Sequence, residues 1–438
     1  MIRSSGPPDK TTPGNVGDIY QNTDNGGIFV CKDVKHRPVR QQFIEVSAKD
    51  VNTEYVWEST LIKPDDCGYL FAYDKRSKYL DKFDFSETID MSYMFTNSDK
   101  LTTIPQMDTS KVTKMENMFS YCYALTTIPQ MDTSNVTTMV DMFYNCKKLA
   151  TIPQMDTSNV TNMYAMFNNC SSLTTIPQMD TSKVTKMFGM FNGCSSLTTI
   201  PQMDTSNVGS MSSMFSYCSS LTTIPQMDTS KVTKMESMFN GCTKLTTIPQ
   251  MDTSNVTSMI SMFQSCSSLT TIPQMDTSNV TNMKYMFGYC SSLTTISQMD
   301  TSKVTNMYKM FCDCSSLTTI PQMDTSNVTA MDNMFQNCTN LTNLDLRNIK
   351  VNLQIGSGTS WGHLLTVDSL VNTIKELVTQ TSYKTLTMGT ANLAKITNLY
   401  CKIIDNTDPK KTMELCESTE EGAMTLTDYA QLKKWNIK

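Results

Sequence analysis

Every 24 residues along the middle of this chain the pattern Met-x-x-Met-Phe-x-x-Cys returns, and its four x positions are where side-chain chemistry varies. The ten copies between Leu101 and Asn340 read EN/SY, VD/YN, YA/NN, FG/NG, SS/SY, ES/NG, IS/QS, KY/GY, YK/CD and DN/QN. Of these 40 positions 26 are Tyr, Ser, Asn or Gly. That is the composition of binding loops, where flat aromatics supply contact area and small polar groups supply adaptable hydrogen bonds. The aromatic members are Tyr121, Tyr144, Tyr164, Phe188, Tyr217, Tyr285, Tyr289 and Tyr308. Rings of this kind stack on sugars or on a protein partner. The plain alternative is drift at surface positions that no packing constrains.

The same residues argue against bond-breaking chemistry. Residues 101–340 contain no histidine and no arginine, so neither a Ser-His-Asp nor a Cys-His unit can assemble there. An Arg clamp and a phosphate-binding loop are missing as well. The chain's 2 histidines, His36 and His363, have no motif around them. Aspartates recur every 24 residues from Asp108 to Asp324, but calcium-binding β-rolls need a Gly-rich nonapeptide that this unit lacks. Paired carboxylates for glycan cleavage stay open at this level. Cysteine supplies one thiol per copy, Cys122 through Cys338, rather than the clustered pairs of a metal site. Only Cys312 and Cys314 are close in sequence, so the thiols read as small buried apolar groups. All but four of the 36 methionines fall on repeat positions and read as core filler. With 12 lysines against 15 acidic residues in the array, and a formal net charge of −5 overall, nucleic acid is not expected as a partner. The reading is a non-enzymatic protein with no metal and no cofactor.

Elements must hold these positions outward. Apolar residues at i, i+3, i+4 and i+7 (Met139, Met142, Phe143, Cys146) predict a short helix. A threonine stands before it as N-cap (Thr113, Thr137, Thr161), with acids at the capping-box position in Thr113/Glu116, Thr233/Glu236 and Thr329/Asp332. The stretch Leu-Thr-Thr-Ile-Pro-Gln-Met predicts a short extended segment ended by Pro105, Pro129 and Pro153. Asp-Thr-Ser is turn chemistry. On that side Thr126, Thr127, Gln130 and Asp132 to Ser134 repeat almost unchanged, which reads as solenoid architecture in preference to a repetitive binding surface. A 24-residue period without insertions means a repeat solenoid, leucine-rich-repeat-like, with short parallel strands plus short helices. Such coils bury their apolar stripe only by stacking, and need caps.

The expected divisions are 1–51, an N-terminal β-hairpin module; 52–98, an N-terminal cap with a degenerate repeat; 99–351, the solenoid; and 352–438, an α/β C-terminal cap. The module should contain strands Asp18–Asn22 and Gly27–Lys32 joined by an Asp-Asn-Gly-Gly turn, with a further strand at Tyr55–Ile62. The cap should contain a helix near Leu370–Val378, a strand at Lys384–Met388 and an amphipathic ending.

The unit DTSNVTNMxxMFxxCSSLTTIPQM closely resembles the BspA-type leucine-rich repeat over roughly residues 83–350. That family occurs in surface proteins of gut and oral bacteria and in bacteriophage appendage proteins, where the repeats mediate attachment to a surface or a protein. The string GDIYQNTDNGGIFVC looks like a small β-module near the virion-proximal ends of phage tail and fibre proteins. The start MIRSSGPPDKTTPGN has no apolar run, and no stretch of about 18 apolar residues occurs. The expectation is therefore synthesis and assembly in a host cytoplasm with reduced thiols, no membrane insertion, and a place in the virion. Together these resemblances imply a phage fibre, at head or tail. Asp18, Tyr20, Asn25, Gly26 and Phe29 would anchor it to other virion proteins, and the solenoid would meet a host-surface glycan or protein. Fibres of this kind are homo-oligomers, here a dimer or trimer. A virion connector whose solenoid packs on other virion proteins is the alternative, and a bacterial cell-surface adhesin a weaker one.

Overall fold

The computed structural model describes residues 2–4, 19–22, 28–32, 42–46, 67–68, 70–73, 80, 83–355, 365–377, 384–388, 390–402, 414–416 and 423–437. They fall into two units, Met1–Asn207 and Val208–Lys438. The first opens on a four-stranded sheet of β1 (Ile2–Ser4), β2 (Ile19–Asn22), β3 (Ile28–Lys32) and β4 (Gln42–Val46), in that order. β1 runs parallel to β2, and the other pairs are antiparallel. The two expected strands of the module are β2 and β3, each within one residue. The joining turn and Tyr55–Ile62 lie outside the described residues.

The rest of the first unit is stacked coils of one design. In the coil around Met115, Val112, Met115, Met118, Phe119, Cys122, Leu125, Ile128 and Met131 all point into the core. Phenylalanines stack from coil to coil: Phe95, Phe119, Phe143 and Phe167 have neighbouring ring centroids 5.4–5.6 Å apart and nearly parallel planes. The ladder begins earlier than the repeat count implies. Cys67, Leu70 and Phe71 occupy the Met, Met and Phe places of a coil 24 residues before Met91, and Phe71 stacks on Phe95 at 5.7 Å.

The short helices expected over Met-x-x-Met-Phe-x-x-Cys do not form. The segment is a run of turns: Met118 N–H donates to Met115 O, Ser120 to Asn117 O and Cys122 to Phe119 O. The alternate amides leave the coil, Asn117 donating to Val140 O, Phe119 to Met142 O and Tyr121 to Tyr144 O. An α-helix would keep all of them to itself. The second and fourth variable residues also sit at positive φ in every copy, for example Asn117 at 54° and Tyr121 at 62°, which no α-helix contains. The inward spacing was legible; stacking bonds to the next coil decided the backbone. We call this segment the outer turn.

With no helix there is no N-cap. The Thr113 hydroxyl instead donates to Ile89 O, and Thr137 and Thr161 each donate to the equivalent threonine carbonyl one coil back. Glu116 accepts from Thr138 Oγ1 at 3.0 Å instead of closing a capping box. Backbone pairing runs through the residues beside these threonines, as parallel bridges Lys114 to Thr138 to Asn162 to Lys186. Thiols of the repeat ladder complete carbonyls: Phe119 O accepts Cys122 N–H at 3.0 Å and Cys146 Sγ at 3.1 Å. Burial pushes the Cys122 and Cys194 thiols up to about 12, so they stay protonated donors.

Opposite the outer turn, the Leu-Thr-Thr-Ile-Pro-Gln-Met stretch is extended, but proline withholds one donor and the backbone bond is of the type Thr126 N–H to Thr102 O. Gln130 Nε2 adds a bond to Gln154 O at 2.7 Å, and the buried Thr133 hydroxyl another to Asp156 O at 2.7 Å. Asp132 Oδ1 accepts Ser134 N–H and Oγ, closing the turn. The almost unchanging groups of this face are thus spent on stacking.

The second unit repeats the design from Val208, with Phe215, Phe239, Phe263, Phe287, Phe311 and Phe335 stacked at 5.6–5.9 Å. Only its last extended stretch pairs as a regular strand, β5 (Thr319–Asp324) parallel to β6 (Asn343–Arg347) with an irregularity between Ile320 and Met323. The cap follows with β7 (Leu353–Gln354), α1 (Val367–Lys375), β8 (Lys384–Thr387), α2 (Thr390–Ile396), β9 (Tyr400–Lys402), β10 (Glu414–Cys416), β11 (Met424–Thr425), α3 (Leu426–Leu432) and β12 (Trp435–Ile437). Thr366 caps α1 by accepting Ser369 N–H, and its own N–H bonds Thr342 O, continuing the threonine ladder. Arg347 joins Glu376 and Asp345 at 2.8 and 2.9 Å across that junction.

Candidate functional site

The outer turns impose one demand on their side chains. All twenty second and fourth variable positions lie in the left-handed region, φ 48–75°. Half of them are Asn, Asp or Gly, the residues that accept it most readily. Much of the binding-loop composition is therefore backbone chemistry, which corrects the reading from residue counts. The other half are Ala165, Ser213, Ser237, Ser261, Ser265, Lys309 and four tyrosines, and the tyrosines are the bulkiest: Tyr121, Tyr217, Tyr285 and Tyr289, at φ 56–64°. A bulky residue there costs about 1–2 kcal/mol relative to an ordinary backbone. Lys309 stands there at φ 52°.

The eight aromatics do not share one exposure. Tyr164, Phe188, Tyr217 and Tyr289 are exposed, with Tyr217 the most open at 58%, whereas Tyr121, Tyr144, Tyr285 and Tyr308 are half-buried against neighbours. In the first unit Tyr121 lies 5.3 Å from Tyr144 and edge-on to Tyr123 at 6.0 Å. Tyr164 and Phe188 stack at 5.1 Å. Acids border this group: burial first, and Glu116 second, push the Asp141 carboxyl up to about 6. Lys147 lies over Tyr123 at 5.3 Å.

In the second unit Tyr285 and Tyr308 meet edge to face at 5.4 Å. Lys284 and Lys309 each lie 5.5–5.8 Å from both ring centroids. Two glycines make room for tyrosines. A Cβ at Gly288 would meet Tyr285 Cδ1 at 3.2 Å, and one at Gly241, itself at φ 75°, would meet Tyr217 Cδ1 at 2.7 Å. Asparagines fix three first variable positions: Asn162, Asn282 and Asn306 Oδ1 accept the N–H of Tyr164, Lys284 and Tyr308 at 2.9–3.1 Å.

Counting residue types missed the lysines, although KY and YK in consecutive copies carried the signal. It also missed Tyr123, just past the cysteine and 39% exposed, and Tyr73, 72% exposed on the early coil. Of the proposed anchoring residues, Tyr20 and Phe29 are directly opposite partners across β2 and β3. Asp18, Asn25 and Gly26 lie outside the described residues. Among the described residues no three His, Cys, Asp or Glu side chains converge as a metal site, and no helix is long and apolar enough to cross a membrane. What the outer turns offer is ring faces, hydroxyls and a few charges.

No curated protein matches the sequence. Among solved structures it is similar to a leucine-rich repeat protein from Eubacterium ventriosum, at 20% identity over 56% of this chain and 79% of that one, TM-score 0.35. It is also similar to a leucine-rich repeat protein of T. pallidum, at 20% identity over 44% and 76%, TM-score 0.26. The family described as "Mycoplasma protein of unknown function, DUF285" matches residues 66–176, 147–247, 219–295 and 268–355. The first match begins one residue before Cys67, where the coils themselves begin, and with residues 66–355 so tiled the chain belongs to this family.

Proposed function

We propose that this chain is a non-enzymatic attachment protein, a phage virion fibre whose outer turns contact the host surface. The observation that carries the reading is the placement of bulky tyrosine at left-handed positions otherwise filled almost entirely by Asn, Asp, Gly and Ser. A backbone outlier held against local preference is the kind of feature that marks function rather than drift. Exposed aromatics stand in the outer turns of both units, Tyr164 and Phe188 in the first and Tyr289 in the second. The N-terminal module would hold the chain to other virion proteins; the string GDIYQNTDNGGIFVC and the antiparallel β2–β3 pairing support that part. Assembly would be as a dimer or trimer, after synthesis in the host cytoplasm.

The test is binding of the full chain to a panel of intact bacterial cells, beside a variant with Tyr164, Phe188, Tyr285, Tyr289 and Tyr308 changed to alanine. Saturable binding lost in the variant is expected. Binding that the variant retains would overturn the reading. The connector reading would instead bury the exposed Tyr/Asn/Ser face of the outer turns against other virion proteins. It predicts no cell binding by either form and incorporation of both into particles.

A further inference from the structure

We propose that Tyr285, Tyr308, Lys284 and Lys309 form a binding site for an acidic sugar, a pyranose carrying a carboxylate. The inference rests on the attachment reading and names its ligand class.

Four observations support it. Each of two ammonium groups lies within 5.8 Å of both of two phenol rings, which gathers two positive charges on one aromatic platform. Neither lysine has a carboxylate within ion-pair distance among the described residues, so an anion seated there would supply the opposite charge. The platform is set in place: Asn282 and Asn306 fix the backbone of Lys284 and Tyr308, and Gly288 clears the space beside Tyr285. Finally, Tyr285 and Lys309 occupy left-handed positions at φ 56° and 52°, against the preference of the scaffold. Ring faces take the apolar face of a pyranose, and paired ammonium groups take its carboxylate. A neutral sugar would use only the first, and an inorganic anion only the second.

The experiment is a calorimetric titration of the full chain with two acidic probes, a galacturonic acid tetramer and a tetramer of N-acetylneuraminic acid. The methyl ester of the first and inorganic polyphosphate serve as comparison probes. Saturable binding of an acidic tetramer is expected. It should weaken at least tenfold for the ester, at least tenfold in Lys284→Gln/Lys309→Gln, and at least tenfold in Tyr285→Ala/Tyr308→Ala. Lys284→Arg/Lys309→Arg should keep most of it. No binding of either acidic tetramer overturns the proposal, as does equal binding of the ester. Polyphosphate binding as tight as the tetramers and untouched by the tyrosine changes overturns the sugar part. If the titrations fail while the full chain still binds cells through its aromatics, the attachment reading stands and only the ligand class falls.

Discussion

The outer turns from Met115 to Cys194 and those from Met283 to Cys314 are built on the same backbone and the same inward residues, yet they set different charges beside their aromatics. The first group sets Asp141 beside Tyr144 and Glu116, next to the Tyr121–Tyr144 and Tyr164–Phe188 pairs. The second sets Tyr285, Tyr289 and Tyr308 beside Lys284 and Lys309. The comparison separates two layers of sequence information. Residues that stack the coils scarcely change, whereas residues at the four variable positions change freely within the limit that positive φ sets at two of them. A solenoid of this kind can therefore alter its surface without altering its fold.

Removing a stacked ring should hurt both groups alike. Phe167→Ala and Phe287→Ala should each cost about 3–5 kcal/mol, because each deletes a fully buried side chain between two stacked neighbours. Urea unfolding of the two variants measures this, and a large difference between them would break the claim of a shared core.

The next effect separates scaffold from surface. Gly241→Ala should cost about 1–2 kcal/mol, since its φ of 75° disfavours any side chain and the new methyl would press on Tyr217. Tyr217→Asn should do the reverse and stabilise by about 1 kcal/mol, because Asn tolerates the left-handed backbone. Tyr285→Asn should gain less, as it also gives up the ring contact with Tyr308. Thermal melts of the three rank them.

The smallest effect is confined to the acidic group. Asp141 is a carboxyl whose folded value, about 6, lies above its ordinary one near 4, so the fold favours its protonated form. Its relative contribution is fully present below about pH 4 and is lost as pH rises through 6. Asp141→Asn should therefore raise the melting temperature at pH 7.5 by a degree or two and leave it unchanged at pH 4. The partial exposure of Asp141 keeps the shift small.

Much of this was readable in the residues. The 24-residue spacing announced the coils, and Met115, Met118, Phe119 and Cys122 face inward as their spacing implies. The backbone that carries them was not readable, because i, i+3, i+4 and i+7 describe a face and not a conformation. Which amide bonds whom depends on the next coil: Asn117 reaches Val140, far beyond any local window. The same dependence hid the reason for Asn and Gly in the outer turns. The eight aromatics could be named from the sequence, but not their division into half-buried pairs and open rings. That division follows from contacts such as Tyr121 with Tyr144, one coil on.

On the attachment proposal, tyrosines in the outer turns are kept for contact and not for folding. Its most direct test changes Tyr121, Tyr217, Tyr285 and Tyr289 together to asparagine in the full chain and measures melting temperature and cell binding on the same preparation. The expected chain melts no lower than the parent and no longer binds cells. A chain that binds as before, or that fails to fold, would contradict it.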